Sequence, residues 1–185
     1  MKRLIEILIV LFISTIIFLP SILLIILIKI ETRGPALYWS QRVGKNSKIF
    51  LMPKFRSMKL DTPEVATSIL NSEVYITRVG NLIRKSSIDE LPQLFSILKG
   101  DMSFIGPRPA LFNQDDLVSL RKINFIDKMK PGVTGWAQIN GRDDISIEEK
   151  VKLEIYYLEN KSLFLDIKIV TLTLFYVIIS RNISH

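Results

Sequence analysis

From Leu4 to Ile28 the chain is almost purely apolar, interrupted only by Glu6, Ser14, Thr15, Pro20 and Ser21. No other feature limits the fold so strongly. A helix needs about 20 apolar residues to cross a bilayer core, and this run is long enough. A cleaved leader is disfavoured, because Lys29, Glu31 and Arg33 follow in place of a small-residue cleavage site. Two arrangements remain. In one, the helix spans the membrane. In the other, Pro20 near the middle breaks it, and the chain enters and leaves by one face. Lys2 and Arg3 precede the run and Lys29 and Arg33 follow it. Both ends therefore prefer the side that positive charge marks as cytoplasmic. Sequence physics alone leaves the spanning and re-entrant forms both open.

The remainder is long enough for one compact domain within the 185 residues. Lys and Arg number 25 against 18 Asp and Glu, a formal net charge of +7. Such a balance suits a polyanionic partner or an anionic surface. Nucleic acid is not that partner: the charge is spread along the chain, no nucleic-acid motif occurs, and the start is membrane-like. Cysteine is absent, which removes disulfides, thiolate zinc sites and thiol nucleophiles. His185 is the only histidine, which argues against a histidine triad or a histidine-rich metal site.

The most informative polar stretch is Ser86-Ser87-Ile88-Asp89-Glu90-Leu91-Pro92-Gln93. It reads as a helix start. Ser87 and Glu90 have the spacing of a capping box, and Pro92 falls in the first turn. Leu91, Leu94, Phe95 and Leu98 form an apolar stripe, and Lys99-Gly100 closes the helix. Asp89 and Glu90 then sit at the positive end of the helix dipole. Acidic first turns often only cap a helix. Here, however, Arg84 and Lys85 stand just before, and Gly106-Pro107-Arg108-Pro109 just after. Cations, backbone N–H groups and a carboxylate nucleophile at one helix start suit phosphate chemistry.

Other segments fill in the fold. Residues 36–42 and 49–55 read as a hairpin around Val43-Gly44-Lys45-Asn46-Ser47, with Lys54, Arg56 and Lys59 on the exit side. Residues 61–73 read as a loop, and residues 74–84 as a short helix. Residues 101–105 suit a short strand, and the two prolines around Arg108 hold it in an extended turn. Residues 113–129 read as a polar helix. Pro131-Gly132-Val133-Thr134-Gly135 and Gln138-Ile139-Asn140-Gly141-Arg142 suggest a ligand loop without a dinucleotide or Walker spacing. Ser146 and Glu149 make a second capping box. Residues 163–179 are apolar but carry Asp166 and Lys168, which suits a helix at the membrane surface or packed on the domain. The fold class is α/β: an N-terminal apolar membrane segment over residues 1–33, then a domain over 34–185. That domain has a hairpin, several helices and interfacial amphipathic helices.

With these motifs together, Lys54-Phe55-Arg56-Ser57-Met58, Arg84 through Gln93, Lys99 through Pro109, Pro131 through Gly135 and Gln138 through Arg142, the chain resembles the bacterial sugar transferases. These are monotopic phosphoglycosyl transferases, here in minimal single-domain form. The resemblance covers nearly the whole chain. It implies transfer of a phospho-sugar from a UDP-sugar to undecaprenyl phosphate, releasing UMP and initiating glycan assembly. It implies ping-pong kinetics, with Asp89 attacking the β-phosphate to form a covalent phospho-sugar, Glu90 assisting, and Mg2+ bridging Asp89 and the diphosphate. Arg56, Arg84, Arg108 and Arg142 are the matching phosphate-binding candidates, and Gln138 and Asn140 would help hold the nucleotide. Lys54, Pro107, Glu154 and Asp166 are supporting candidates; ion pairs would explain the two acids equally well. The resemblance favours the re-entrant form, at the bacterial inner membrane with the catalytic domain facing the cytoplasm and touching phospholipid. A homodimer is left open. Two departures stand out: Leu19 precedes Pro20 where the family often has Ser, and Arg56 stands where Lys is common. The sugar stays open among hexose, N-acetylhexosamine and diamino-sugar donors. The competing reading is a non-catalytic, membrane-anchored module that binds nucleotide sugars or anionic lipid.

Overall fold

The computed structural model describes residues 2–63, 74–141 and 145–179. The order of elements is α1 (Lys2–Glu31), β1 (Leu37–Val43), β2 (Ile49–Phe55), α2 (Arg78–Lys85), α3 (Gln93–Lys99), β3 (Ser103–Ile105) and β4 (Ala110–Leu111). Then come α4 (Asp115–Ile123), β5 (Gly132–Thr134), α5 (Trp136–Asn140), α6 (Ile147–Asn160) and α7 (Leu163–Ile179). The fold is mixed α/β, as the sequence implies. It divides into two compact units. The first holds residues up to Ser40 with Pro53–Phe95; the second holds Gln41–Met52 with the described residues from Ser96 to Ile179.

In the first unit, α1 is a single helix of 30 residues. Pro20 lies inside it and the backbone stays helical on both sides, so no loop separates two helices. Proline still removes one N–H bond, the one to the Ile16 carbonyl. One turn earlier, the Thr15 hydroxyl donates to the Phe12 carbonyl at 2.7 Å, a back-bond of the kind that bends helices. Phe12, Ile16, Phe18 and Leu19 are exposed, while Leu24 and Ile28 are buried. Among the described residues α1 is the one helix long and apolar enough to cross a membrane. Its last turns pack with Ala36, Phe55 and Ile83 into one core, flanked by Leu37, Val79 and Leu91.

Thr77 caps α2: its hydroxyl accepts from the Gly80 N–H at 2.9 Å. The helix read over residues 74–84 therefore begins later, at the capping threonine. Gly80 is required for packing, since a Cβ there would lie 1.9 Å from the Ser57 carbonyl oxygen.

The hairpin is as the sequence predicts. A 3-10 turn at Lys45–Ser47 joins β1 to β2, with Asn46 and Ser47 at φ of 55° and 58°. A three-stranded sheet runs β2-β1-β4, with Arg42 opposite Leu111 and Val43 opposite Ala110.

In the second unit, β3 and β5 pair in parallel, Ser103 opposite Gly132 and Ile105 opposite Thr134. The segment read as a ligand loop thus supplies a strand. Three glycines allow the close approach. A Cβ on Gly106 would lie 2.3 Å from the Lys130 carbonyl oxygen, and one on Gly132 or Gly135 would lie 2.1 Å from Gly106 backbone atoms. The helix expected over residues 113–129 stops at α4. Phe125 then takes φ of 58°, and a 3-10 turn follows at Ile126–Lys128. Ala110, Leu117, Ile126 and Val151 form one core, and Tyr157, Leu165 and Ile169 another. The second capping box is half realised: the Ser146 hydroxyl accepts from the Glu149 N–H at 3.1 Å and opens α6. One side of α7 packs through Leu165 and Ile169, while Leu163, Phe164, Ile167 and Leu174 are exposed.

Candidate active site

Asp89 and Glu90 do not begin the long helix that the sequence predicts. Ser86 ends α2: its hydroxyl donates to the Leu82 and Ile83 carbonyls at 3.0 and 3.2 Å. Ser87 then turns left-handed at φ of 55° and makes no side-chain cap. A left-handed residue that is not glycine costs about 1–2 kcal/mol, so local preference does not explain this turn. Ile88–Glu90 forms a 3-10 turn, and α3 starts only at Gln93, after Pro92. The capping box fails because Glu90 has a stronger partner. Lys54 on β2 donates to Glu90 Oε1 at 2.8 Å, with both side chains largely shielded from solvent. A charge-assisted bond of this kind outweighs a surface cap. The expected helix ending does form. Gly100 sits at φ of 99°, its N–H meets the Ile97 carbonyl at 3.0 Å, and the Asp101 N–H meets the Ser96 carbonyl at 3.0 Å. This is the Schellman pattern.

Asp89 itself is buried, with 9% of its surface exposed. Its turn is pinned on either side by Ile83 and Leu91, which pack in the same core as Leu24 and Ile28 of α1. Arg84 stands on the last turn of α2, and one terminal nitrogen of its guanidinium is buried with no protein acceptor. An arginine held this way is matched to a multiply charged anionic oxygen group. The first unit therefore brings together a shielded carboxylate, a second carboxylate with a lysine partner, and an arginine with a spare donor.

Arg56 is placed differently from the other candidates. It is 6% exposed, and its terminal nitrogens donate to the Arg33 carbonyl at 3.1 Å and the Thr32 carbonyl at 3.0 Å. A further bond reaches the Thr32 hydroxyl at 2.6 Å. These groups belong to the end of α1, so Arg56 serves as a clamp on the helix terminus.

The second unit carries the other candidates. Pro107 and Arg108 follow β3 in the extended segment the prolines enforce; Pro107 is buried and Arg108 half-buried. The Pro107 carbonyl accepts from the Gly132 N–H at 2.9 Å, and Arg42 donates to the Pro109 carbonyl at 3.2 Å. Gln138, on α5, has both amide atoms buried without a protein partner, so the group is ready for a ligand carrying one donor and one acceptor. The Asn140 amide donates to the Trp136 carbonyl at 2.8 Å. Arg142 lies outside the described residues. Glu154 is buried against Arg121, which donates through Nε at 2.8 Å and through a second nitrogen, tying α6 to α4. Asp166 accepts from the Tyr157 hydroxyl at 2.6 Å, tying α7 to α6. Both acids thus have structural partners.

Sequence reasoning missed Glu31 and Thr77. Glu31 accepts from the Arg78 N–H at 2.6 Å and the Val79 N–H at 3.0 Å. A threonine before a basic, apolar run is a readable cap. A glutamate 47 residues upstream carries no such signal.

The first unit thus sets a shielded carboxylate next to a lysine-paired one, in a mixed α/β fold that begins with a long apolar helix. The chain matches the bacterial sugar transferase family over residues 1–180, and it belongs to that family. It is 43% identical over 161 residues to the uncharacterized sugar transferase EpsL of Bacillus subtilis, covering 87% of this chain and 79% of EpsL. It is 41% identical to the UDP-N-acetylgalactosamine-undecaprenyl-phosphate N-acetylgalactosaminephosphotransferase of Aeromonas hydrophila, covering 80% of this chain and 37% of that protein. It is 38% identical to the UDP-glucose:undecaprenyl-phosphate glucose-1-phosphate transferase of Escherichia coli, covering 80% of this chain and 34% of that protein. The chain spans about a third of the length of these two donor-specific relatives.

Proposed function

We propose that this protein transfers a sugar phosphate from a UDP-sugar to undecaprenyl phosphate, with Asp89 as the nucleophile. The observation that carries the reading is the shielded Asp89 carboxylate beside the Lys54–Glu90 pair, in a chain of this family. An Asp89 carboxylate oxygen attacks the β-phosphorus of the donor. The bond from that phosphorus to the bridging oxygen breaks, and UMP leaves with the electron pair. A phosphate oxygen of the polyprenol phosphate then attacks the aspartyl-bound phosphorus, and the carboxylate leaves. Splitting the displacement in two gives ping-pong kinetics.

The obstacle is charge, since a carboxylate must approach a diphosphate. Lys54 compensates Glu90, so the negative charge that the dyad presents to the donor is reduced. Following the family resemblance, Arg84, Arg108 and Arg142 are assigned to the phosphates, and Gln138 and Asn140 to the nucleotide. Burial of Asp89 keeps water from competing for the aspartyl phosphate. Among the described residues no cluster of three acidic or histidine side chains occurs. Mg2+ is commonly held by one or two carboxylates completed by substrate phosphates, and Asp89 fits that pattern. When bound there, the ion supplies charge neutralisation on the diphosphate. We assign α1 to the membrane as a re-entrant element, on the basis of its exposed apolar side chains, Pro20 and the basic residues at both ends.

The test is to incubate the protein in nanodiscs with Mg2+, undecaprenyl phosphate and a panel of UDP-sugars, and to measure UMP. Release with one donor, lost in Asp89→Ala, supports the reading and names the sugar. Binding of donors without UMP release or an aspartyl adduct overturns it.

A further inference from the structure

The end of α1 is tied by polar bonds to two neighbours: the start of α2, the helix that leads to the Asp89 turn, and Arg56 at the end of β2. Glu31, its last residue, closes the first two N–H groups of α2, and Thr77 closes the third. In return Arg56 closes the carbonyls of Thr32 and Arg33 just beyond α1. Helix termini leave such groups unsatisfied, so each bond removes a reason for the elements to separate. Gly34, at φ of 109°, makes room for the clamp: a Cβ there would lie 2.8 Å from an Arg56 terminal nitrogen. The apolar seam of Leu24, Ile28, Val79 and Ile83 fills the space between the helices. Arg84 is the seventh residue of α2, and Asp89 comes five residues beyond it.

We infer that Glu31 and Arg56 are positioning residues that form a rigid joint of α1 with α2 and the end of β2, which the Thr77 N–H bond to the Ser57 carbonyl also holds together, and thereby fix the depth of Asp89 relative to the bilayer. The inference rests on the proposed function, with α1 in the membrane and Asp89 as nucleophile. It has an asymmetric consequence. The UDP-sugar arrives from water and finds Asp89 over a range of depths. The polyprenol phosphate has its phosphate held at the membrane surface by its own chain. Loosening the joint therefore impairs the second half-reaction and spares the first. A displacement near 1 Å can cost about 100-fold in a positioned reaction.

The absence of cysteine permits a clean measurement. Lys85→Cys, on the exposed last turn of α2, carries a nitroxide whose depth is read by its accessibility to oxygen and to a water-soluble nickel chelate in nanodiscs. The joint is loosened by Glu31→Gln, which keeps the shape and removes the charge, and separately by Gly34→Ala, whose Cβ would lie 2.8 Å from the Arg56 terminal nitrogen. The donor half-reaction is the UMP burst with UDP-glucose, UDP-galactose or UDP-N-acetylgalactosamine alone. The expected result is a burst within about twofold of wild type, an undecaprenyl phosphate KM raised 10- to 100-fold, and a broadened or shifted label depth. If the burst and the acceptor step fall together at unchanged label depth, the residues are merely structural and the inference is overturned. If the wild type shows no burst with any donor, the functional reading fails on its own account. Label depth then decides the joint, and an unchanged depth in both variants overturns it.

Discussion

Lys54 Nζ lies 2.8 Å from Glu90 Oε1 and joins β2 to the turn that carries Asp89. This bond explains why the acidic pair does not cap a helix. Removing the cation leaves two adjacent carboxylates facing a diphosphate. Lys54→Met is expected to lower the rate of UMP release by about 100-fold, and Lys54→Arg to restore most of it. Steady-state kinetics at saturating donor checks this, and equal rates in wild type and Lys54→Met would refute it.

Asp89→Asn keeps size and hydrogen-bonding shape while removing the nucleophile. Turnover is expected to fall on the order of 1,000-fold or more. Intact mass spectrometry after incubation with donor alone should show the sugar-phosphate adduct on wild type and none on the variant. An adduct that persists in Asp89→Asn would move the nucleophile elsewhere.

Chelation by EDTA is expected to abolish UMP release, and added Mg2+ to restore it. The ion is assigned to Asp89 and the donor phosphates together, so its binding and the donor's should be linked. The apparent Mg2+ requirement should fall as donor concentration rises. Independence of the two would place the ion in a site formed by protein alone.

Glu154 separates a structural from a catalytic reading. Its buried bidentate pair with Arg121 joins α4 to α6. Breaking such a pair from one side costs about 3–5 kcal/mol. Glu154→Gln should therefore lower the denaturation midpoint strongly, while folded protein retains its donor KM. A changed KM at unchanged stability would place Glu154 at the substrate.

The glycine stack makes a sharper prediction for stability. Gly106→Ala places a methyl group 2.3 Å from the Lys130 carbonyl oxygen, in backbone that has no side chain to yield. A loss of about 1–3 kcal/mol is expected from such overpacking, read as a lower thermal midpoint in detergent. The same substitution at Gly100 tests a different cause, since there the strain is the left-handed backbone.

The legible part of this chain was its local chemistry. The apolar run gave α1, the turn residues gave the β1–β2 hairpin, and Ser146 with Glu149 gave the start of α6. Asp89 and Glu90 could be singled out because charged neighbours surround them in the sequence. What stayed hidden was set by distant partners. Glu90 left its capping role for Lys54, 36 residues away. Arg56, a phosphate candidate in the sequence, also has its terminal nitrogens on carbonyls at the end of α1, while its buried Nε keeps no protein acceptor. The strands β4 and β5 have two and three residues, too few to show an alternating pattern. Phe125 ends the 113–129 helix with a left-handed turn that its own side chain does not favour.

The joint at the end of α1 also has a schedule. Its partners are separated by 23 and 24 residues for Arg56 and by 47 and 48 for the α2 amides. At bacterial rates of about 5–20 residues per second, the last of these is translated some 2–10 seconds after Glu31. During that interval α1 exists as a greasy helix with an open carbonyl end and no protein to lean on. The joint that later locks it can close only once α2 has emerged. With α1 assigned to the membrane as proposed, insertion comes first and docking second, so the order of synthesis builds the anchor before the enzyme it holds.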